Sequence, residues 1–291
     1  MRRNNVHFVS KSYFSVPLMI LILGICQTVC ADTVYQSTAK NISGLLAYYT
    51  FDGVTVSSTT LADDSGNGHT GTFTNGTIGV SSDTAGIGSG QSLAFDTVSS
   101  NSASVNGISE TGFPTSNAAR SAVFWLKNAS RSAGNASWEG IFEFGTPGAG
   151  HHGEAFHAGL SYDYPGQIFT GQYGASVHGR NVSDSLWHMI TVTVDSTGLD
   201  AGQALFSVYV DGNTTPDGTG VLSTNTVLNN NGLIGNSYVG NVDELAYYNR
   251  VLTTAEMGSL YSAMPIPEPS SFIIMASSLL GLLAYAWRKR K

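Results

Sequence analysis

Three groups of side chains in this 291-residue chain have the types and spacing to do chemistry. His151-His152-Gly153-Glu154 followed by His157 offers imidazoles and a carboxylate, the donors zinc accepts. The spacing is not H-E-x-x-H, and Pro147, Gly148, Gly150 and Gly153 set the run in a loop rather than on a helix face. A solvated loop is the expectation. Glu139 and Glu143 bracket Gly140-Ile141-Phe142. Two carboxyls on one sheet face would serve glycosidic bond cleavage, as nucleophile and acid. The alternation E-x-D-x-x-E that lines up three acids on one face lacks its central Asp here. Both glutamates therefore read as solvent-facing strand residues, and no enzyme is expected. G-x-S-x-G and phosphate-cradling glycine loops are also missing. Trp138, Tyr162, Tyr164 and Tyr173 lie near turn residues. An aromatic ring with a polar tip suits stacking on a sugar ring, so these four are the candidate ligand-binding residues.

The elements that must position these groups are strands. The chain is 42% hydrophobic and 11% charged, with 34 glycines, which suits many short strands and tight turns. Its net charge of −7 hides an asymmetry: 7 of 13 basic residues and 1 of 20 acidic ones lie in the two ends, leaving a body of net −13. Such a body lacks the clustered Lys and Arg that phosphate contacts require, which argues against nucleic acid as a partner. It suits calcium and neutral glycans. The two cysteines, Cys26 and Cys30, fall in the N-terminal segment, so no disulfide or thiol chemistry is expected in the body.

Arg2, Arg3 and Lys11 precede an apolar run from Val16 to Ile25, and Val29-Cys30-Ala31 follows. This reads as a signal peptide over residues 1–31, cut after Ala31. At the other end, Pro265-Ile266-Pro267-Glu268-Pro269 leads into an apolar stretch, Ser270 to Trp287, and then Arg288-Lys289-Arg290-Lys291. The stretch is long enough for a transmembrane helix with its basic end cytoplasmic. The order Pro267, Glu268, Pro269, hydrophobic helix, basic end resembles the PEP-CTERM sorting signal of Gram-negative bacteria, over residues 265–291. That resemblance implies recognition by an exosortase, transient anchoring in the inner membrane, and delivery to the cell surface or the extracellular matrix.

Between the ends, residues 32–264 alternate strand-like segments with polar turns, the pattern of an all-β, antiparallel two-sheet sandwich. Candidate strands include the apolar run from Gly44 that ends at Asp52-Gly53, then Ser104–Ile108, Ser121–Leu126, Gly140–Gly145, Glu154–Tyr162, Gln167–Tyr173, Trp187–Asp195, Leu205–Asp211 and Leu233–Gly235. The segment Gly240 to Met257, GNVDELAYYNRVLTTAEM, is the most specific. Period-two alternation puts Asp243, Leu245 and Tyr247 on one face and Val242, Glu244, Ala246 and Tyr248 on the other. A helix follows, with Thr253 as N-cap, Glu256 as capping-box partner, and Leu252 with Met257 as hydrophobic staple.

This segment resembles the last core strand of laminin-G-like, concanavalin A-like jelly-roll domains. Further matches are Phe51-Asp52-Gly53, Asp63-Asp64-Ser65-Gly66-Asn67-Gly68-His69-Thr70-Gly71, Gly90-Gln91-Ser92-Leu93-Ala94-Phe95-Asp96, Trp187-His188 and Tyr209-Val210-Asp211-Gly212. The resemblance implies a jelly-roll sandwich in which the F-D-G, S-G-N-G and D-E motifs meet around a structural calcium. Asp52, Asn67 and Asp243 are the ligands it nominates. It also implies a non-catalytic surface or matrix protein that binds carbohydrate. A purely structural matrix or adhesion role is the alternative, and polysaccharide degradation the weaker one.

Overall fold

The computed structural model describes residues 33–74, 79–85, 90–95, 104–128, 139–148 and 150–264. All of these belong to one unit, Asp32–Lys291. Thr33 caps a short helix, α1 (Val34–Asn41), through a capping box with Gln36. Strands β1 (Leu45–Tyr49), β2 (Thr60–Leu61), β3 (Gly71–Thr74), β4 (Gly79–Ser81), β5 (Ser92–Phe95) and β6 (Ser104–Ile108) follow. Next come β7 (Arg120–Lys127), β8 (Glu139–Gly145), β9 (Ala155–Leu160), β10 (Gln167–Gln172) and β11 (Ala175–Asn181). The chain continues through β12 (Trp187–Asp195), β13 (Gln203–Val210), β14 (Gly218–Ser223), β15 (Gly232–Asn236) and β16 (Gly240–Tyr248) to helix α2 (Thr254–Ser262).

The strands form two antiparallel sheets. The first has the order β14-β13-β12-β7-β16-β5-β4, with β1 also on β16; the second runs β11-β10-β9-β8-β15-β6-β3-β2. The jelly-roll-like sandwich expected from the strand pattern is what forms. Its main core lies between the sheets, where Phe124, Ile190, Val192 and Phe206 of the first sheet face Phe142, Phe144, Phe156 and Ile168 of the second. Removing this apolar surface from water is the dominant stabilising term. A second cluster covers the outer face of the first sheet. There Tyr35 and Ala39 of α1 and Met257 and Leu260 of α2 pack on Tyr48, Trp125, Met189 and Tyr248. The capping box and buried staple expected for α2 are present, with Leu252 and Met257 both in this cluster.

One strand departs from its expected pattern. The pairing of β16 with β7 shifts register between Asp243 and Ala246, and Glu244 has a φ of 53°. This β-bulge flips the side-chain parity. Val242, Leu245 and Tyr247 enter the main core while Ala246 and Tyr248 join the outer cluster. Asp243, expected on the face of Leu245, instead bonds to the backbone of Ala85 in the outer cluster, and Glu244 reaches Tyr48 of the same cluster. The two acids share a face.

Among the described residues no helix is long and apolar enough to cross a membrane. The expected leader, the Ser270–Trp287 span and the Pro267-Glu268-Pro269 motif lie outside the described residues.

Candidate functional site

On the first sheet's outer face α1 and α2 cover β1, β7, β16 and part of β12, while β9, β10 and β11 of the second sheet carry an open groove. Inward residues along these strands are Phe156, Ala158, Leu160, Ile168 and Val177. By alternation His157, Phe169 and His178 point outward, where they floor a cleft of about 540 Å³. Two outward positions beside this floor carry no side chain. Gly159 pairs with Phe169, and Gly171 pairs with His157 and Ser176. A Cβ at Gly171 would meet the Ala175 carbonyl oxygen at 2.3 Å, and one at Gly159 would meet the Glu139 carbonyl oxygen at 2.2 Å.

Tyr162, beyond the end of β9, and Tyr173, in the β10–β11 turn, stand at opposite ends of these strands, and both line the cleft. They are 54% and 40% exposed, among the most exposed aromatics of the described residues. The groove between them extends over about five residues of strand, roughly 17 Å. Tyr164, also 54% exposed, stands behind the cleft edge-on to His178, with ring centroids 4.9 Å apart. His152 packs against Tyr173 at 5.7 Å and braces that wall. Polar residues of the lining are Ser161, Asp163 and Ser176, together with Gln172, which is buried and donates its amide N–H to the Ser223 carbonyl. The fourth predicted aromatic, Trp138, lies outside the described residues.

Burial pushes the His157 imidazole down to about 3 and lowers that of His178 as well. Both stay neutral near pH 7, so the Asp163 carboxylate supplies the cleft's formal charge. The other histidines do not form a zinc set: His151 Nδ1 lies 2.8 Å from Glu154 Oε2, while His152 is taken up by Tyr173. Among the described residues no group of three or more His, Cys, Asp or Glu is placed to hold a metal ion.

Glu139 and Glu143, expected to face solvent, are buried, at 2% and 6% exposure. The β8–β9 register shifts between Gly140 and Phe142, so the two glutamates do not stand in simple alternation. Glu139 accepts a bond from the Val239 amide at 3.2 Å. Glu143 is the direct cross-strand partner of His157, next to the cleft floor, and accepts from Asn236 Nδ2 at 3.4 Å. Burial drives its carboxyl up to about 7.

The residues nominated for calcium do not gather as a set. Asn67 Nδ2 donates to the carbonyls of Leu45 and Leu46, at the start of β1. Asp52 lies beyond the other end of that strand. The five residues of β1 that lie between them have an extended length of about 16 Å, whereas ligands of one calcium sit about 2.3–2.6 Å from it. Asp52 and Asp243 do come together, joined by Glu244. Asp52 Oδ2 and Glu244 Oε1 both accept from Gln36 Nε2, at 2.8 and 2.9 Å. Glu244 Oε2 accepts from the Tyr48 hydroxyl. Burial raises all three carboxyls, Glu244 to about 8, and repulsion adds to it, from Glu244 and Asp52 on Asp243, from Asp52 and Asp64 on Glu244, and from Asp64 on Asp52. Gln36 was not foreseen, although Thr33-Val34-Tyr35-Gln36 is a legible capping box.

Residues 265–291 match the model of the PEP-CTERM protein-sorting motif. The chain carries a sorting tag for export. That places the protein among exported proteins bound for the surface or the extracellular space. Among curated proteins none is similar to this chain in sequence at a significant level. Solved structures share the fold. Domain 4 of AbnA, an extracellular GH43 arabinanase from Geobacillus stearothermophilus solved with arabinotriose, is 18% identical at a TM-score of 0.51, over 75% of this chain and 98% of that one. The receptor-binding domain of botulinum neurotoxin D is 11% identical at a TM-score of 0.55, over 79% of this chain and 54% of that one. The binding domain of serotype G is 16% identical at 0.51, over 75% and 50%. This chain spans about half the length of the toxin domains. At such identities the likeness is one of fold, the β-sandwich.

Proposed function

We propose that this is an exported, non-catalytic surface or matrix protein whose laminin-G-like sandwich holds a neutral polysaccharide in the groove between Tyr162 and Tyr173. The observation that carries this reading is the groove itself: two exposed tyrosines at the ends of an open cleft with an aromatic floor. Rings of this kind present flat apolar faces to a sugar, and Ser161, Asp163 and Ser176 of the cleft lining offer bonds to its hydroxyls. The sign of charge selects the polymer class. A cleft with one carboxylate and neutral imidazoles, on a body of net −13, repels uronic acids and accepts uncharged sugars. The sorting tag supports the matrix location and an exosortase as processing partner. The arabinotriose complex of a similarly folded domain supports the ligand class by analogy.

Truncating a central aromatic anchor commonly costs about 2 kcal/mol or more, roughly thirtyfold in affinity. Tyr162→Ala and Tyr173→Ala should each weaken retention in affinity electrophoresis on the polymer that binds by about tenfold or more, with unchanged thermal unfolding. Tyr164→Ala, which removes a ring behind the cleft, should have a smaller effect. Equal retention of the Tyr162 and Tyr173 variants and the unmodified chain would remove the groove from the account.

A further inference from the structure

The strongest unexplained feature is the set of acids under α1, with Asp243 and Glu244 buried and Asp52 half-buried. Asp52, Asp243 and Glu244 present six carboxyl oxygens, and five of them meet a donor supplied by the chain. Gln36 Nε2 gives one N–H to Asp52 Oδ2 and the other to Glu244 Oε1. The Gln91 amide takes Asp52 Oδ1 at 3.1 Å, the Ala85 amide takes Asp243 Oδ2 at 3.4 Å, and Tyr48 takes Glu244 Oε2. Asp243 Oδ1 is the sixth, buried and without a hydrogen-bond partner. The orientation of the Gln36 amide is set by its other end. Thr33 N–H donates to Gln36 Oε1 at 3.0 Å, which turns Nε2 toward the acids. A Cβ at position 90 would fall 1.8 Å from Asp52 Oδ1, so Gly90 permits the close approach of the backbone to this carboxyl.

We propose that the Gln36 amide closes this acidic set in place of a metal ion, which makes α1 a latch that docks the start of the domain onto the bulge of β16. The laminin-G-like resemblance implies calcium between these motifs; here the point between Asp52 and Glu244 is held by two N–H donors. Several contacts hold the latch down. Tyr35 is fully buried edge-on to Trp125, with ring centroids 6.2 Å apart, and the Tyr248 hydroxyl donates to the Ala39 carbonyl at 3.0 Å.

The test is thermal unfolding of the purified full-length chain with millimolar calcium and with chelator, alongside Gln36→Glu. Glutamate at this position still accepts the Thr33 N–H, so the capping box survives while both bridging donors vanish. The expected result is an unchanged Tm of the unmodified chain with or without calcium, and a Tm lowered by several degrees in Gln36→Glu. A rise in the unmodified chain's Tm on adding calcium would overturn the proposal, and so would a Gln36→Glu variant as stable as the parent. If the variant does not fold, calorimetric titration of the unmodified chain with calcium decides: heat of binding overturns the latch, and its absence upholds it.

Discussion

Replacing Glu110 with Ala should destabilise the domain by about 3–5 kcal/mol. This side chain is fully buried between β6 and β7. Its Oε1 accepts the Gly145 N–H at 2.5 Å, and its Oε2 accepts those of Asn229 and Asn230, both at 2.9 Å. The Glu110 amide donates in return to Asn230 Oδ1 at 3.3 Å. One carboxyl thus ties the end of β8 and the loop before β15 to the end of β6. Alanine leaves three backbone donors without their acceptor, each costing about 1–3 kcal/mol where water does not reach it. Some relaxation will let water in, which keeps the total below the simple sum. Glu110→Gln should recover only part of the loss, since its amide nitrogen meets donors rather than acceptors. Urea unfolding gives the answer directly: the midpoint should fall without a change in slope. A loss under about 1 kcal/mol would mean the loop finds other acceptors.

The second large effect is on pH dependence. The Glu143 carboxyl is pushed up from 4.5 to about 7 by burial, so the folded chain keeps a proton there that the unfolded chain has released. Unfolded chains therefore bind fewer protons in this window, and stability falls as pH rises from about 4.5 through about 7. Below the window both states are protonated and the site contributes no slope. Glu143→Gln keeps the shape and cannot ionise. Its stability should pull ahead of the parent's as pH rises, reaching a lead of about 3 kcal/mol, since each pH unit across the window contributes on the order of 1.4 kcal/mol. Other raised carboxyls, Glu244 among them, titrate in both proteins and cancel in the difference. Unfolding free energies at a series of pH values from about 4 to 8 test this, and parallel curves for the two proteins would contradict it.

The fold was legible because strand signals here are local. Alternation and turn residues mark β7, β12 and β13, and Thr253 with Glu256 marks α2. What escaped depends on partners distant in sequence. Asp243-Glu244 reads as two faces of a regular strand, since nothing in a D-E pair announces a left-handed residue; the bulge is set by pairing with β7. Helix α1 is eight residues long and buries only Tyr35, Gln36 and Ala39, too few to show a helical period. Glu143 is flanked by apolar residues, and its burial follows from the neighbours that β9 and β15 bring to it.

The groove divides in the same way. Tyr162 and Tyr164 stand out because Asp163, Pro165 and Gly166 mark a turn, and Tyr173 because Gly174 follows it. Its floor could not be read from the chain, because His157, Phe169 and His178 come side by side only once β9, β10 and β11 pair in register. The edge strand β14 alternates half-buried and exposed residues and holds Gly218 and Gly220, so it carries little apolar signal.

The most direct test is affinity electrophoresis of the purified full-length chain through gels containing neutral polysaccharides, such as arabinans, glucans and mannans, and through gels containing uronic-acid polymers. Retention by at least one neutral polymer, lost in the Tyr162→Ala, Tyr173→Ala double variant, is the predicted result. A cooperatively folded chain that migrates freely through every neutral gel, or is held only by the acidic polymers, would contradict the account.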